Sequence, residues 1–245
     1  MHPFFRSTAA ALLGGPVLAA LPVWADSVPR ALPDAVQTAQ ATPPRYVPPP
    51  RGAPDARVSG GTRGPLSEAL KLDVVAPEHV GLTLQAQPTL YWFNSRQITT
   101  PVEVTLVADE TNKTVLKVSV PGPVPAGIHP LRLDGTSARL EPNVEYQWSV
   151  TAVVSTREPS RNIVASGMVK RIAPSDAKRA IPAGSADTAA AAYAEAGIWY
   201  DAVDALSQAI QRAPEDRALR MRRGDLLEQV GLKDAAAFDR AAVAR

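Results

Sequence analysis

The side chains best suited to acid–base or metal chemistry near neutral pH are sparse in this sequence. Beyond His2, the 245-residue chain carries only His79 and His129, each in a proline-containing neighbourhood, Pro77-Glu78-His79 and His129-Pro130. A zinc site wants several nitrogen or sulfur ligands at close spacing, so neither histidine reads as a metal ligand. Cysteine is absent, which removes disulfides, thiolate nucleophiles and thiolate-held metals together. A Ser-His-Asp arrangement would have to recruit His79 or His129, and no Gly-x-Ser-x-Gly or His-Glu-x-x-His motif supports either. Gly60-Gly61-Thr62-Arg63-Gly64 is rich in glycine, but no Gly-Lys-Ser/Thr follows it, so it is not a phosphate loop. The expectation is a protein that is not an enzyme and that takes no cofactor and no metal.

What remains is the chemistry of contact. Tyr91-Trp92-Phe93 could stack on a sugar, but neighbouring strand residues alternate faces, so at most two share a side and core placement is the plainer reading. Asn112-Lys113-Thr114 matches a glycosylation sequon and reads better as part of a hairpin turn. Lys and Arg number 26 against 24 Asp and Glu. That near balance argues against nucleic acid and against an anionic membrane surface, both of which call for clustered basic charge.

The elements that must carry these residues follow from periodicity. Residues 1–25 have the form of a signal peptide: Arg6, an uncharged small and apolar run from Ser7 to Leu21, and Val23-Trp24-Ala25 before a cleavage site at Asp26. Gly14, Gly15, Pro16 and Pro22 keep the run short of the ~20 apolar residues a membrane span needs. No cysteine follows for lipid attachment, so the expectation is a Sec-exported periplasmic or secreted protein with no integral membrane segment. Residues 26–64, with Pro43-Pro44 and Pro48-Pro49-Pro50, read as a flexible Pro/Gly-rich linker.

Over 65–173 the period is two. Val102, Val104 and Leu106 alternate with polar residues, as do Leu116, Val118 and Val120, with Asp109-Glu110-Thr111-Asn112 as the turn between them. The clearest strand holds Val144, Tyr146, Trp148, Val150, Ala152 and Val154, and Ile163 to Ile172 is another, with Gly167 at a bulge or close approach. With Leu72 to Val75, Thr89 to Phe93 and the Leu131/Leu133 pair, about seven short strands indicate an antiparallel β-sandwich. Leu140-Glu141-Pro142-Asn143-Val144-Glu145-Tyr146 resembles the tyrosine corner of fibronectin type III domains, which implies a structural Tyr146 and a core Trp148.

A hinge over 174–185 leads into a helical region at 186–245, so the fold class is α+β by domains, an immunoglobulin/fibronectin type III-like sandwich followed by a short helical module. Ser185 is placed to cap a first helix that stops at Gly197. Trp199, Ala202, Val203, Leu206, Ala209 and Ile210 form one face of a second, Pro214 is expected to open a third, and Gly231 ends it before a fourth. Gly224, Gly231 and Ala236 each lie 34 residues after Ala190, Gly197 and Ala202, and the region resembles two tetratricopeptide hairpins. The second copy departs from that pattern at Arg240, where a large apolar residue is usual.

Four blocks in order are more specific: Arg51-Gly52-Ala53-Pro54, Gly60-Gly61-Thr62-Arg63-Gly64, Gly81-Leu82-Thr83-Leu84 leading to Pro88-Thr89-Leu90-Tyr91-Trp92-Phe93, and Tyr193-Ala194-Glu195-Ala196-Gly197-Ile198-Trp199-Tyr200-Asp201-Ala202. Together they resemble the exported bacterial family of domain of unknown function 928, from about Arg51 to Leu232. That resemblance implies no activity, ligand or catalytic residue, but it implies that sandwich and helices act as one unit. The expected function is a non-enzymatic envelope protein that binds a protein partner or acts as a scaffold, self-association included. Its reading face would be the first-helix face of each hairpin: Ala191, Ala194, Glu195, Met221, Asp225 and Glu228. The alternative is a carbohydrate-binding β-sandwich.

Overall fold

Among the described residues the alternation read along the chain folds into eight strands, and the helical period that follows them into four helices. A computed structural model describes residues 43–49, 57–60, 70–177 and 186–243. The leader, the Ser185 cap and Gly61 to Gly64 lie outside the described residues. Strands β1 (Leu72–Val74), β3 (Thr89–Asn94) and β6 (Gly127–Arg132) form one sheet in the order β1-β3-β6. Strands β2 (Gly81–Thr83), β4 (Val102–Ala108), β5 (Lys113–Val120), β7 (Glu145–Ala152) and β8 (Ile163–Arg171) form the other, in the order β2-β8-β7-β4-β5. The β part is not purely antiparallel as expected: β2, too short to stand out by alternation, runs parallel to β8.

Period-two alternation places the core. In β4, Val102, Val104, Leu106 and Ala108 are buried between half-buried neighbours, and in β7 Tyr146, Trp148, Val150 and Ala152 are buried. The register sets Leu106 beside Trp148 and Val104 beside Val150, so the two apolar rows lie side by side. Each fully buried large side chain contributes roughly 1.5–3 kcal/mol, and the rows together drive the closure. The β4–β5 turn comes where expected, with Asn112 at φ 52°, a left-handed conformation that asparagine tolerates. The Tyr146 hydroxyl oxygen accepts from the Glu141 N–H at 3.0 Å, closing the corner back on itself, and Trp148 is fully buried. Gly167 is a point of close approach: a Cβ there would lie 2.8 Å from the Ala76 Cβ.

Helices α1 (Ala186–Glu195), α2 (Trp199–Arg212), α3 (Arg217–Gln229) and α4 (Lys233–Val243) follow. Pro214 does not open α3. It lies exposed in the turn before it, because the Asp216 carboxylate caps the helix two residues later, accepting from Ala218 N at 2.9 Å and Leu219 N at 3.4 Å. α1 and α3 end alike. Gly197 (φ +80°) and Gly231 (φ +77°) take the left-handed conformation. Behind each, a 6→1 bond (Ile198 N to Tyr193 O, Leu232 N to Leu227 O) and a 5→2 bond (Gly197 N to Ala194 O, Gly231 N to Glu228 O) complete a Schellman cap.

Sheets and helices share a single hydrophobic core, and the described residues belong to one compact unit. Three consecutive residues at the start of α2 make the junction. The Trp199 indole donates to Val75 O at 2.9 Å. Tyr200, fully buried, donates its hydroxyl to Met168 O and accepts from the Trp148 indole N–H, both at 2.9 Å. Asp201 accepts from Leu84 N at 3.2 Å.

Candidate peptide-binding groove

The two capped ends of α1 and α3 meet a third piece of chain. Residues 43–49 were expected to be part of a flexible spacer. Instead this stretch is seated on the helices, because Pro44 and Tyr46 find apolar surface there and the backbone finds partners. The Gln229 side chain, at the last turn of α3, reads two backbone groups at once: its Nε2 donates to Pro44 O at 2.8 Å and its Oε1 accepts from Tyr46 N at 2.8 Å. One residue on, Val47 N donates to Ala194 O at 3.0 Å, on the last turn of α1. The conformation of Gly197 brings that helix end close: a Cβ there would lie 2.9 Å from Val47 O.

Tyr46 is the anchor side chain. Its ring packs edge-on against Trp199 at 5.0 Å and stacks on His79 at 5.8 Å, and its hydroxyl lies 2.9 Å from His79 Nε2. Burial raises the Tyr46 hydroxyl above its ordinary pKa and lowers His79 below its own, so near neutral pH the bond joins a protonated phenol and an uncharged imidazole. Beside the ring a cavity of about 250 Å³ is lined by Pro48, His79, Gln229 and Gly231. The prolines carry no N–H, so few donors of this segment need partners. The groove thus reads backbone with one amide fork and one helix carbonyl, and reads sequence with one aromatic pocket.

Residues 57–60, assigned to the same spacer, are also fixed. Val58 exchanges backbone bonds with Ser166 at 2.9 and 2.8 Å, extending the edge of β8 beyond β2. Arg57 donates to Val230 O at 2.8 Å and Ala76 O at 2.9 Å, tying the end of α3 to the β1–β2 loop.

The expected reading face is brought together only in part. Ala194 is fully buried and offers its carbonyl to the seated segment, while Ala191 is half-buried beside it on α1. Glu195 is exposed, and Met221, 39% exposed, stands two turns from Gln229 on α3. Asp225 and Glu228 are not free acids for a basic partner. Arg240 on α4 reaches Asp225 Oδ1 at 2.9 Å and pairs with Glu228 as well, which accounts for an arginine where an apolar residue was expected. Tyr46, His79 and Gln229 were missed. The available signal was Tyr46 itself, one large aromatic between two proline runs.

Other candidate chemistry lies elsewhere. Tyr91, Trp92 and Phe93 are each 2% exposed, so none presents a face for a sugar. His129 Nε2 donates to Pro125 O at 2.9 Å and its ring lies against Trp92. A polar cleft of about 480 Å³ runs between Gln85 and Gln87 on one side and Tyr193, Asp201 and Asp204 on the other. Two of its carboxylates are engaged: Asp204 accepts from the Tyr91 hydroxyl at 2.8 Å and from Gln208 Nε2 at 2.7 Å, and Asp201, which burial raises to about 6, accepts from Leu84 N at 3.2 Å. Among the described residues no group of three His, Cys, Asp or Glu side chains is placed to hold a metal, and no helix is long and apolar enough to cross a membrane.

No curated protein matches the chain in sequence. A solved multi-domain immunophilin from Arabidopsis thaliana overlaps 81% of this chain and 100% of its own at 9% identity and a TM-score of 0.18, too loose a likeness to carry an argument. One family model matches residues 58–239, a span holding both sheets and nearly all of the helices, and the chain belongs to that family, Domain of Unknown Function (DUF928).

Proposed function

We propose that this protein is a non-enzymatic, exported envelope protein that acts as a protein-binding or scaffold module, and that the groove at the ends of α1 and α3 receives an extended, proline-flanked segment with a central aromatic residue. The observation that carries the reading is the pair of hydrogen bonds that Gln229 makes, donating to Pro44 O and accepting from Tyr46 N, joined by Val47 N donating to Ala194 O. Such contacts recognise an extended backbone, and prolines hold a ligand in that form beforehand, which lowers the ordering cost of binding. Two finer readings of the scaffold go with it. The adjacent apolar rows of β4 and β7 and the Tyr146 corner favour an immunoglobulin/fibronectin type III-like sandwich, and two Schellman caps 34 residues apart favour tetratricopeptide-like hairpins. The leader at residues 1–25 favours export.

The test uses a fluorescent peptide of residues 43–49 and the full chain carrying Tyr46→Ala, which loosens the resident segment. Anisotropy should show saturable binding, weakened about tenfold or more by adding Gln229→Ala, since two hydrogen bonds of about 1 kcal/mol each are lost. Binding that is absent, or indifferent both to Gln229→Ala and to alanine at the peptide's tyrosine, rejects the reading.

A further inference from the structure

The resident segment gives different things to the groove at each position. Pro44 and Tyr46 are buried, Val47 is half-buried, and Pro43, Arg45 and Pro48 are exposed. Pro44 has no N–H to satisfy, and its carbonyl accepts from Gln229 Nε2. Arg45 keeps its side chain in solvent, so the groove makes no demand on that position. Val47 must keep its N–H, which donates to Ala194 O at 3.0 Å, so proline does not fit there although Pro44 and Pro48 stand close by. Tyr46 carries the finest distinction. It is 8% exposed, and among the described residues its hydroxyl has one hydrogen-bond partner, His79 Nε2 at 2.9 Å. The edge-on contact with Trp199 would suit phenylalanine equally well. The bond to His79 would not, because a site built to pair a hydroxyl is left with its own polar group unpaired when the hydroxyl is missing.

We propose that the groove selects tyrosine, in the frame Pro-x-Tyr followed by any residue except proline, and that His79 is the residue that sets tyrosine above phenylalanine. The partner it fits is a chain that presents this frame in extended form. The proposal rests on the peptide-reading groove above and specifies what that groove reads; the frame is the one that Pro44-Arg45-Tyr46-Val47 shows in place. Backbone reading and tyrosine reading come from separate elements. Gln229 and Ala194 stand on helices, whereas His79 lies in the β1–β2 loop, so the second can be altered while the first is kept.

Two measurements on the full chain test it. The first is hydrogen exchange at the Tyr46 and Val47 amides, which are bonded to Gln229 and Ala194 while the segment is seated. Tyr46→Phe should speed both about tenfold in the otherwise unaltered chain. It should change them little when His79→Leu is already present, since leucine has no polar atom to leave unpaired. His79 is half-buried, and circular dichroism checks that His79→Leu stays folded. The second uses labelled peptides of residues 43–49 on the chain carrying Tyr46→Ala. Phenylalanine in place of the peptide's tyrosine should weaken binding about tenfold, and His79→Leu should erase that preference. Proline in place of the peptide's valine should weaken binding whether or not His79 is present. A tyrosine preference that is absent, or that survives His79→Leu, overturns the role of His79, and a proline tolerated at the valine overturns the frame. If no peptide binds, the peptide-reading function fails, while the exchange rates still decide whether His79 selects tyrosine within the chain.

Discussion

Tyr200→Phe isolates the junction between sheets and helices with the change of one atom. The hydroxyl accepts from Trp148 Nε1 and donates to Met168 O, both at 2.9 Å, and the residue is fully buried. Phenylalanine keeps the ring and its packing. It removes the bond to Met168, about 1 kcal/mol, and leaves the Trp148 indole N–H buried without a partner, about 1–3 kcal/mol more. The expected loss is about 2–4 kcal/mol, or about 5–15 °C in Tm for a fold of this size. Urea unfolding followed by tryptophan fluorescence and by far-ultraviolet circular dichroism measures it. Both signals should move together, because Trp92, Trp148 and Trp199 report the core shared by sheets and helices and the ellipticity reports mainly the helices. In the Tyr200→Phe background, Trp148→Phe should cost less than it does alone, since the unpaired N–H leaves with it. A Tyr200→Phe loss below ~1 kcal/mol, or two separated transitions in the unaltered chain, would refute the claim that this bond network couples the two parts.

Three further changes probe the same architecture. Arg223 binds Asp239 through two bonds of 2.7 Å and Ser207 Oγ at 3.0 Å, with the Asp239 side chain wholly buried; removing either charge alone should cost about 3–5 kcal/mol, and Arg223→Met with Asp239→Leu together much less, by chemical denaturation. Gly81→Ala sets a Cβ 2.6 Å from Tyr200 Cε2, a ring that cannot yield, so a loss of about 1–3 kcal/mol in the same assay is expected, and a neutral result contradicts the packing. Burial raises the Asp201 carboxyl from an ordinary 3.8 to about 6 in the folded state. Between those values the native state holds more proton than the unfolded chain, so stability should fall as pH rises from about 4 to 6, on the order of 3 kcal/mol. Asp201→Asn should flatten that slope, and an unchanged slope assigns it to another group.

Much of the scaffold was legible. Alternation of apolar and polar residues marked β4 and β7 because each has one face in the core, and β5 because its apolar side chains are half-buried against that core, while Gly197 and Gly231 marked helix ends because a left-handed residue there satisfies the last carbonyls. Pro214 misled, since proline and aspartate both suit a helix start and the carboxylate at Asp216 satisfied two N–H groups. Strand β2 has three residues, too few for a period to show, and its parallel pairing with β8 depends on residues 88 positions away, Gly81 with Val169.

By itself the sequence determined the periods, the turns and the caps, since these are settled among residues within a few positions of one another. It also determined the lack of cysteine and of any recognisable catalytic motif. Only the tertiary structure decided the groove. Local composition around Tyr46 spells an open spacer, because prolines cannot join a helix or a central strand. What seats the segment is Gln229, 183 positions along the chain, and a pocket made by Trp199 and His79 from separate parts of the fold. Such a site leaves no periodic trace, because its binding energy comes from surfaces that exist only after the sheets and helices have closed on each other.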